Sequence, residues 1–446
     1  MARWMRISRR GVVLAWGSAA TGTALNGCLL RRQDAGIPAD GRPQAEPSGT
    51  VEVWWNFGGA QQDEAQKLAD AFNAQQHHIK ANVSFIPGTW DDMRQKTLAA
   101  MAGGAPPEVI RISVFDVPMY ADRGGLVDLS PYIAKDQKFA QPVWVPRCWE
   151  NVVWKGKPYA LPWNLSAVTL YYNKDRLSEA GVTAPPKTWE ELALTAQRLT
   201  RQDEQKYGFR SSYDASAEGM NYFGPILFSF GVNLFDSQVA SEAKRAAFNT
   251  SQGLEALQFA VDLIWRYACV IPPGVNLPVN PVYNGNLAMW IDGQWGLPGI
   301  RANAPGLNFG TALLPATRYE NPGITVSGGN HIGVMEGSKN KDAGWVFASW
   351  VASDEQDYQF AVGGGYLPAR QANYTRPVYQ TQPWDAFATM GLKHAKNRPA
   401  VRDATRILAA IMTEVQHAQH QRKSPKDALN EAERAVNQIF AETLGR

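Results

Sequence analysis

From Thr50 onward the sequence switches repeatedly between two hydrophobic periods, and that pattern confines a chain to sheets covered by helices. Val51-Glu52-Val53-Trp54 alternates as a strand, and Ala65, Leu68, Ala69 and Phe72 then fall at i, i+3, i+4 and i+7 on one helical face. Residues 81–86 predict a second strand, and Glu108-Val109-Ile110-Arg111-Ile112, after Pro106-Pro107, a third. Residues 120–125 lead to a turn at Gly124-Gly125. This βαβα order predicts mainly parallel sheets, because a parallel neighbour needs a crossover long enough to hold a helix. Thr188-Trp189-Glu190-Glu191 reads as a capping box, with Trp189, Leu192, Ala196 and Leu199 on one face behind it. Ser424-Pro425-Lys426-Asp427 opens a last helix with the stripe Leu429, Ala432, Val436, Ile439 and Phe440. Trp265, Trp345 and Trp350 lie on helical faces and are assigned to the core. At 446 residues the chain exceeds the ~250–300 at which one core usually divides, so two lobes are expected.

Residues 1–27 read as an export signal. Arg3, Arg6, Arg9 and Arg10 precede the apolar residues 11–25, a run shorter than the ~20 residues that span a bilayer. Ser8-Arg9-Arg10-Gly11-Val12-Val13 resembles a twin-arginine motif, and Leu25-Asn26-Gly27-Cys28 resembles a bacterial lipobox, with Asn26 a departure from its usual small residue. These resemblances imply export, lipidation at Cys28 and anchoring to the membrane by lipid. Residues 28–49, with Pro38, Pro43 and Pro47, suit a flexible tether. The leader also carries the apparent basic excess. The whole chain has 44 basic and 41 acidic side chains, and without the four leader arginines the balance is 40 against 41. A nucleic-acid footprint needs clustered positive charge, so that class of partner is excluded. Cys148 and Cys269 could pair in an oxidising compartment, or could serve as small buried apolar groups.

Enzyme motifs are missing. There is no G-x-S-x-G elbow, no H-E-x-x-H, no phosphate loop and no strand followed by G-x-G-x-x-G. His417-Ala418-Gln419-His420 has metal-like spacing but sits among Gln416, Gln421 and Arg422, as a solvated helix face would. Asp91-Asp92 and Glu190-Glu191 are neighbours that point in different directions on a helix. No metal, cofactor or catalytic group is expected.

A series of phrases in order resembles the extracellular solute-binding proteins of bacterial sugar ABC transporters, the group that contains maltose-binding protein. They are Pro107-Glu108-Val109 with Gly125-Leu126-Val127-Asp128-Leu129; Tyr159-Ala160-Leu161-Pro162-Trp163; Leu170-Tyr171-Tyr172-Asn173-Lys174-Asp175; and Pro185-Pro186-Lys187-Thr188-Trp189-Glu190-Glu191-Leu192. Asn286-Leu287-Ala288-Met289, Gly293-Gln294-Trp295, Ser338-Lys339-Asn340-Lys341-Asp342-Ala343 and Gly364-Gly365-Tyr366-Leu367-Pro368-Ala369-Arg370 continue it. Glu108 stands where the family usually has Asp, a difference expected to affect packing. The resemblance implies a two-lobed periplasmic-binding-protein fold of type II, α/β, with each lobe a mainly parallel sheet flanked by helices and a hinge crossed more than once. By analogy lobe 1 is residues 50–164 plus 330–376 and lobe 2 is 165–329 plus 377–446. It further implies a monomer that captures a sugar between the lobes and passes it to permease subunits.

A sugar needs flat apolar surface for its C–H faces and a polar partner for each hydroxyl. Loops that set an aromatic ring beside an amide, carboxylate or guanidinium supply both. The candidates are Trp54 and Asn56, Phe115 and Asp116, Trp163 and Asn164, Asn221 and Tyr222, Trp295, Asn330, and Tyr366 with Arg370; His331 is a weaker one. Trp295 leads them, since a glycine-flanked turn exposes a ring. A di- or oligosaccharide is the expected cargo. The alternatives are a polyol phosphate such as glycerol phosphate, ranked lower because only Arg370 was available among the candidates, and a secreted carbohydrate-active enzyme with two carboxylates across the cleft.

Overall fold

The computed structural model describes residues 46–444 apart from 211–213, 276 and 399. The expected leader, Cys28 and most of the tether therefore lie outside the described residues. Strand β1 (Gly49–Trp55) begins on the last tether residue. Helix α1 (Gly59–Gln75) follows and buries Ala65, Leu68, Ala69 and Phe72, the stripe expected from periodicity. Burying a ring the size of Phe72 contributes about 1.5–3 kcal/mol, more than the helix's own propensity supplies. Then come β2 (Ile79–Phe85), α2 (Trp90–Ala102) and β3 (Val109–Ser113). Thr89 and Asp92 form a capping box at the start of α2.

The first sheet is completed by β4 (Leu161–Pro162) and a strand from far along the chain. The second sheet comprises β5 (Val168–Asn173), β6 (Tyr207–Arg210), β7 (Leu287–Gly293) and β8 (Phe309–Ala312). The late strand of the first sheet is β9 (Asn330–Val334). Strand order is β2-β1-β3-β9-β4 in the first sheet and β8-β5-β7-β6 in the second. Helix α3 (Trp189–Leu199) carries the expected Thr188–Glu191 capping box and packs its Trp189, Leu192, Ala196 and Leu199 face inward. Helices α4 (Met220–Ser229), α5 (Ser251–Trp265), α6 (Ala404–Gln419) and α7 (Pro425–Leu444) complete the cover of the second sheet. The stripe Leu429, Ala432, Val436, Ile439 and Phe440 is buried as expected.

The two-lobed α/β architecture stands, and in each sheet all strands but one run the same way. β1, β2 and β3 are parallel, while β9 runs antiparallel to both β3 and β4. β6 and β7 are parallel, while β5 runs antiparallel to β7 and β8. Each sheet thus has one reversed strand. In each it is the strand that the chain enters directly from the other sheet, β5 after residue 166 and β9 after residue 329. A strand entered from the crossing starts at the end where its neighbours finish, so it must run the other way.

The crossings pair with one another. Ser166 and Gly328 exchange two backbone hydrogen bonds, both 3.0 Å. Asn164–Leu165 pairs with Leu367–Pro368, and Thr325–Ser327 with Ala395–Asn397. Glu108 has the packing role expected of it, accepting from the Glu52 N–H (2.9 Å) and the Ser338 hydroxyl (3.1 Å). Cys148 and Cys269 are free, buried thiols in different core clusters. Trp265 departs from expectation: it is 47% exposed, because it ends α5 and turns its indole N–H to the Gln419 carbonyl at 2.8 Å. Trp345 and Trp350 are half-buried.

Candidate functional site: the cleft between the two sheets

The parallel strands of both sheets end toward one cavity of about 400 Å³. Its first-sheet wall has Asn56 after β1, Trp90 at the start of α2, Arg111 on β3 and Phe115 just beyond it. Its second-sheet wall has Asp214, Glu218, Asn221, Tyr222 and Trp295. Ser166, Gly328 and Gly329, from the paired crossings, line it between the walls, and Asn330, Tyr366 and Arg398 also line it. Open α/β sheets place ligands at the carboxyl ends of their strands, and the lining follows from that rule applied twice.

Trp295 is presented by the Gly-Gln-Trp-Gly turn. Gln294 is fully buried; its Oε1 accepts from the Ala167 N–H (3.2 Å) and its Nε2 donates to the Leu165 carbonyl (3.0 Å). The turn is therefore tied to the first crossing, and the next residue is turned to the cavity. Gly293 is needed there, since a Cβ on it would lie 2.1 Å from the Trp295 ring. Asp292 stands beside both aromatics of this wall: Tyr222 donates its hydroxyl to it at 3.5 Å, the Trp295 indole lies near enough to favour its charged form, and Arg210 is 3.5 Å away. Burial raises the Asp292 pKa above the usual carboxylate value, opposed by Arg210.

On the other wall, Trp55, Trp163, Phe360 and Tyr366 form a chain of rings with centroids 5.0, 4.6 and 5.6 Å apart. It ends at the Tyr366 hydroxyl, 3.5 Å from Arg111 Nη2. Arg111 lies between Phe57 (3.6 Å) and Trp90 (4.3 Å) and donates through Nη1 to the carbonyl and side chain of Asn56. Arg398 lies over Phe115 at 4.5 Å and donates to Asn221 Oδ1 at 2.8 Å. Burial pushes both guanidiniums down to about 10.

Of the residues singled out by sequence, Asn56, Phe115, Asn221, Tyr222, Trp295, Asn330 and Tyr366 meet in this cavity. The other five do not line it. Trp163 is fully buried in the ring chain: its backbone N–H donates to the Asn330 carbonyl (3.0 Å) and its side chain turns inward. Asn164 is also fully buried, and its Oδ1 accepts from the N–H (3.0 Å) and Nδ2 (3.1 Å) of Asn330. Trp54 is on the opposite strand face from Trp55, under the Lys96 ammonium at 4.6 Å. Asp116 is buried against Arg94 at 2.7 Å, its pKa pushed up to about 6 by burial. Arg370 is buried elsewhere, donating to the Ala352 carbonyl (2.6 Å) and pairing with Asp354 (2.9 Å). His331 is fully buried, with neither ring nitrogen partnered among the described residues. No His, Cys, Asp or Glu cluster suited to a metal occurs among the described residues.

Sequence reasoning missed Trp90, Arg111 and Arg398. Arg111 had a signal, a charged side chain inside the apolar strand Val-Ile-Arg-Ile-Ser, where burial demands a purpose.

Comparison with known proteins agrees with this geometry. A maltotriose-binding protein of Pyrococcus abyssi is 25% identical over 358 residues, 79% of this chain and 73% of that protein. An sn-glycerol-3-phosphate-binding periplasmic protein of Brucella melitensis is 25% identical over 73% of this chain and 76% of its own length. Among solved structures, an ABC-transporter solute-binding protein from Thermotoga lettingae bound with α-D-tagatose superposes with a TM-score of 0.77 at 26% identity, covering 88% of this chain and all of that one. The cyclic α-maltosyl-1,6-maltose binding protein of Arthrobacter globiformis gives 0.74 at 27% identity over 89% of this chain and all of that one. The family model for bacterial extracellular solute-binding proteins, which are binders and not enzymes, matches residues 58–358. With two mixed sheets facing one cavity across paired crossings, the chain belongs to the bacterial extracellular solute-binding proteins.

Proposed function

We propose that this protein is an exported lipoprotein that captures a sugar, a di- or oligosaccharide, between its lobes and delivers it unaltered to an ABC importer. The observation that carries this reading is the wall composition. Trp90, Phe115, Tyr222 and Trp295 offer rings, and Asn56, Asn221 and Asn330 stand among them with amides, the pairing that a pyranose requires. The sugars named for the relatives from Pyrococcus and Arthrobacter support it. We divide the lobes at the crossings, as residues 50–164 with 330–376 and residues 165–329 with 377–446, and assign residues 1–27 to the leader, Cys28 to the lipid and 28–49 to the tether. The protein acts as a monomer that presents its closed form to permease subunits. A polyol phosphate is the second reading, favoured by Arg111 and Arg398 in the cavity.

Titration calorimetry over mono-, di- and trisaccharides, with small-angle scattering at saturation, tests the proposal. The expected result is one site per chain and a smaller radius of gyration when filled, because a ligand favours closure only through contacts made in the closed state. Cleavage of a bound sugar, or binding with no change in radius, contradicts it.

A further inference from the structure

Arg111 and Arg398 are 6% and 4% exposed, yet neither has a carboxylate within ion-pair distance among the described residues. The other buried arginines among the described residues each have one: Arg176 has Glu179 and Arg370 has Asp354. A buried cation costs several kcal/mol unless a counter-charge and hydrogen bonds compensate it. Here compensation is partial. Each arginine rests on aromatic faces and donates to amide or phenol oxygens, and the Nε of each has no partner among the described residues. Arg398 Nη2 also makes no hydrogen bond there. Glu218 lies near enough to favour the charged form of both, but its Oε2 is taken by Asn221 Nδ2 at 2.8 Å. Asp214 is exposed, with Oδ1 accepting from the Ser216 N–H at 2.9 Å.

The two guanidiniums are also set in place by the backbone. Arg111 projects from the middle of β3, on the first sheet. Arg398 follows the short strand Ala395–Asn397 and spreads over Gly328, where a Cβ would stand 2.8 Å from its Nη2. A side chain at position 328 would displace it. The lining thus holds two positively charged groups, one fixed to the first sheet and the other to the crossing region that leads into the second-sheet helices. Guanidinium forks match planar carboxylates and phosphate oxygens, and such pairs are shorter and stronger than neutral hydrogen bonds.

We infer that the physiological ligand is an acidic sugar whose oxyanion, a carboxylate or a phosphate, is received by Arg111 and Arg398 while its ring lies against the cleft aromatics. This rests on the sugar-binding reading and narrows it. The anion supplies the direct ion pair that neither Asp214 nor Glu218 makes with these guanidiniums, so closure and pairing of the arginines become the same event.

The test is calorimetry of the whole protein with matched pairs: glucose against glucuronate and glucose 6-phosphate, and galacturonate oligomers against neutral oligosaccharides of equal length, with glycerol 3-phosphate and inorganic phosphate as non-sugar probes. An acidic sugar should bind at least about tenfold tighter than its neutral counterpart, and the uronate and phosphate arms identify the oxyanion. In Arg398→Gln the ratio of acidic to neutral affinity should fall most of the way to one, a loss of about tenfold from a tenfold preference, and Arg398→Lys should keep part of it. Thermal melts of both variants confirm that they fold. Neutral sugars binding as tightly as their acidic counterparts overturn the inference and leave the sugar reading standing. Binding of the non-sugar phosphates without any sugar acid overturns the sugar reading and leaves the anion site standing. Failure of every probe to bind overturns both.

Discussion

Gly329 has a φ of +150° and packs against Asn164, so that a Cβ on it would lie 2.2 Å from the Asn164 carbonyl oxygen. These residues belong to the two crossings that pair at the cavity, and their closeness lets the crossings run side by side. Gly329→Ala combines a disfavoured backbone conformation with a backbone clash, and should destabilise the fold by on the order of 1–3 kcal/mol. A thermal melt measures it. A melt within a degree of the parent would show that the crossings separate without cost.

Trp295→Ala should remove a stacking surface and cost on the order of 2–4 kcal/mol of sugar binding, as hot-spot aromatics do. The ring is half-buried against both core clusters, so a smaller loss of stability accompanies it. Calorimetry beside a melt separates the two, and a lowered melt with unaltered affinity removes Trp295 from the site.

Asp292→Asn should loosen Tyr222 and disturb Trp295 with it, since the carboxylate accepts from the Tyr222 hydroxyl and stands beside the Trp295 indole. Affinity is expected to fall by about 1.5–3 kcal/mol at most, the scale of hydrogen bonds to a charged group. If Asp292 acts through these rings, adding Trp295→Ala to Asp292→Asn should cost less than the sum of the single effects. Full additivity would separate the two roles.

Burial lowers the His331 pKa from 6.5 to about 3. Between those values the unfolded chain binds a proton that the folded chain refuses. Stability should therefore fall as pH drops from 6.5 towards 3, by about 1.4 kcal/mol per pH unit from this group. His331→Leu removes two unpartnered nitrogens and should flatten the slope. Denaturant melts at pH 7 and pH 4.5 check it; equal slopes in parent and variant would count against it.

Replacing Cys28 with Ala should move the exported protein from the membrane pellet to the soluble fraction. Parent protein already soluble after export would show that Cys28 carries no lipid.

Local features were legible in the sequence and long-range ones were not. The α1 stripe and the Thr188–Glu191 box depend on residues within two turns of one another, and both stand as read. The glycine-flanked turn at Trp295 was visible for the same reason. Trp163 and Asn164 were not separable from Trp295 and Asn330 by residue type, because the partner that holds Trp163 and Asn164 inside, Asn330, lies far along the chain. Arg111 and Arg398 meet only through the crossings. The one reversed strand in each sheet was hidden because helical linkers dominate the pattern and these two strands follow none.

Those reversed strands set an order of events during synthesis. β9 covers an edge of β3, but the ribosome makes it only after the whole of the second sheet. Until then β1 to β3 present an unpaired edge, which is a template for pairing with other chains. The N-terminal strands therefore cannot finish as an independent nucleus, and a nascent chain interrupted before residue 330 would be the aggregation-prone species, whatever the stability of the finished protein.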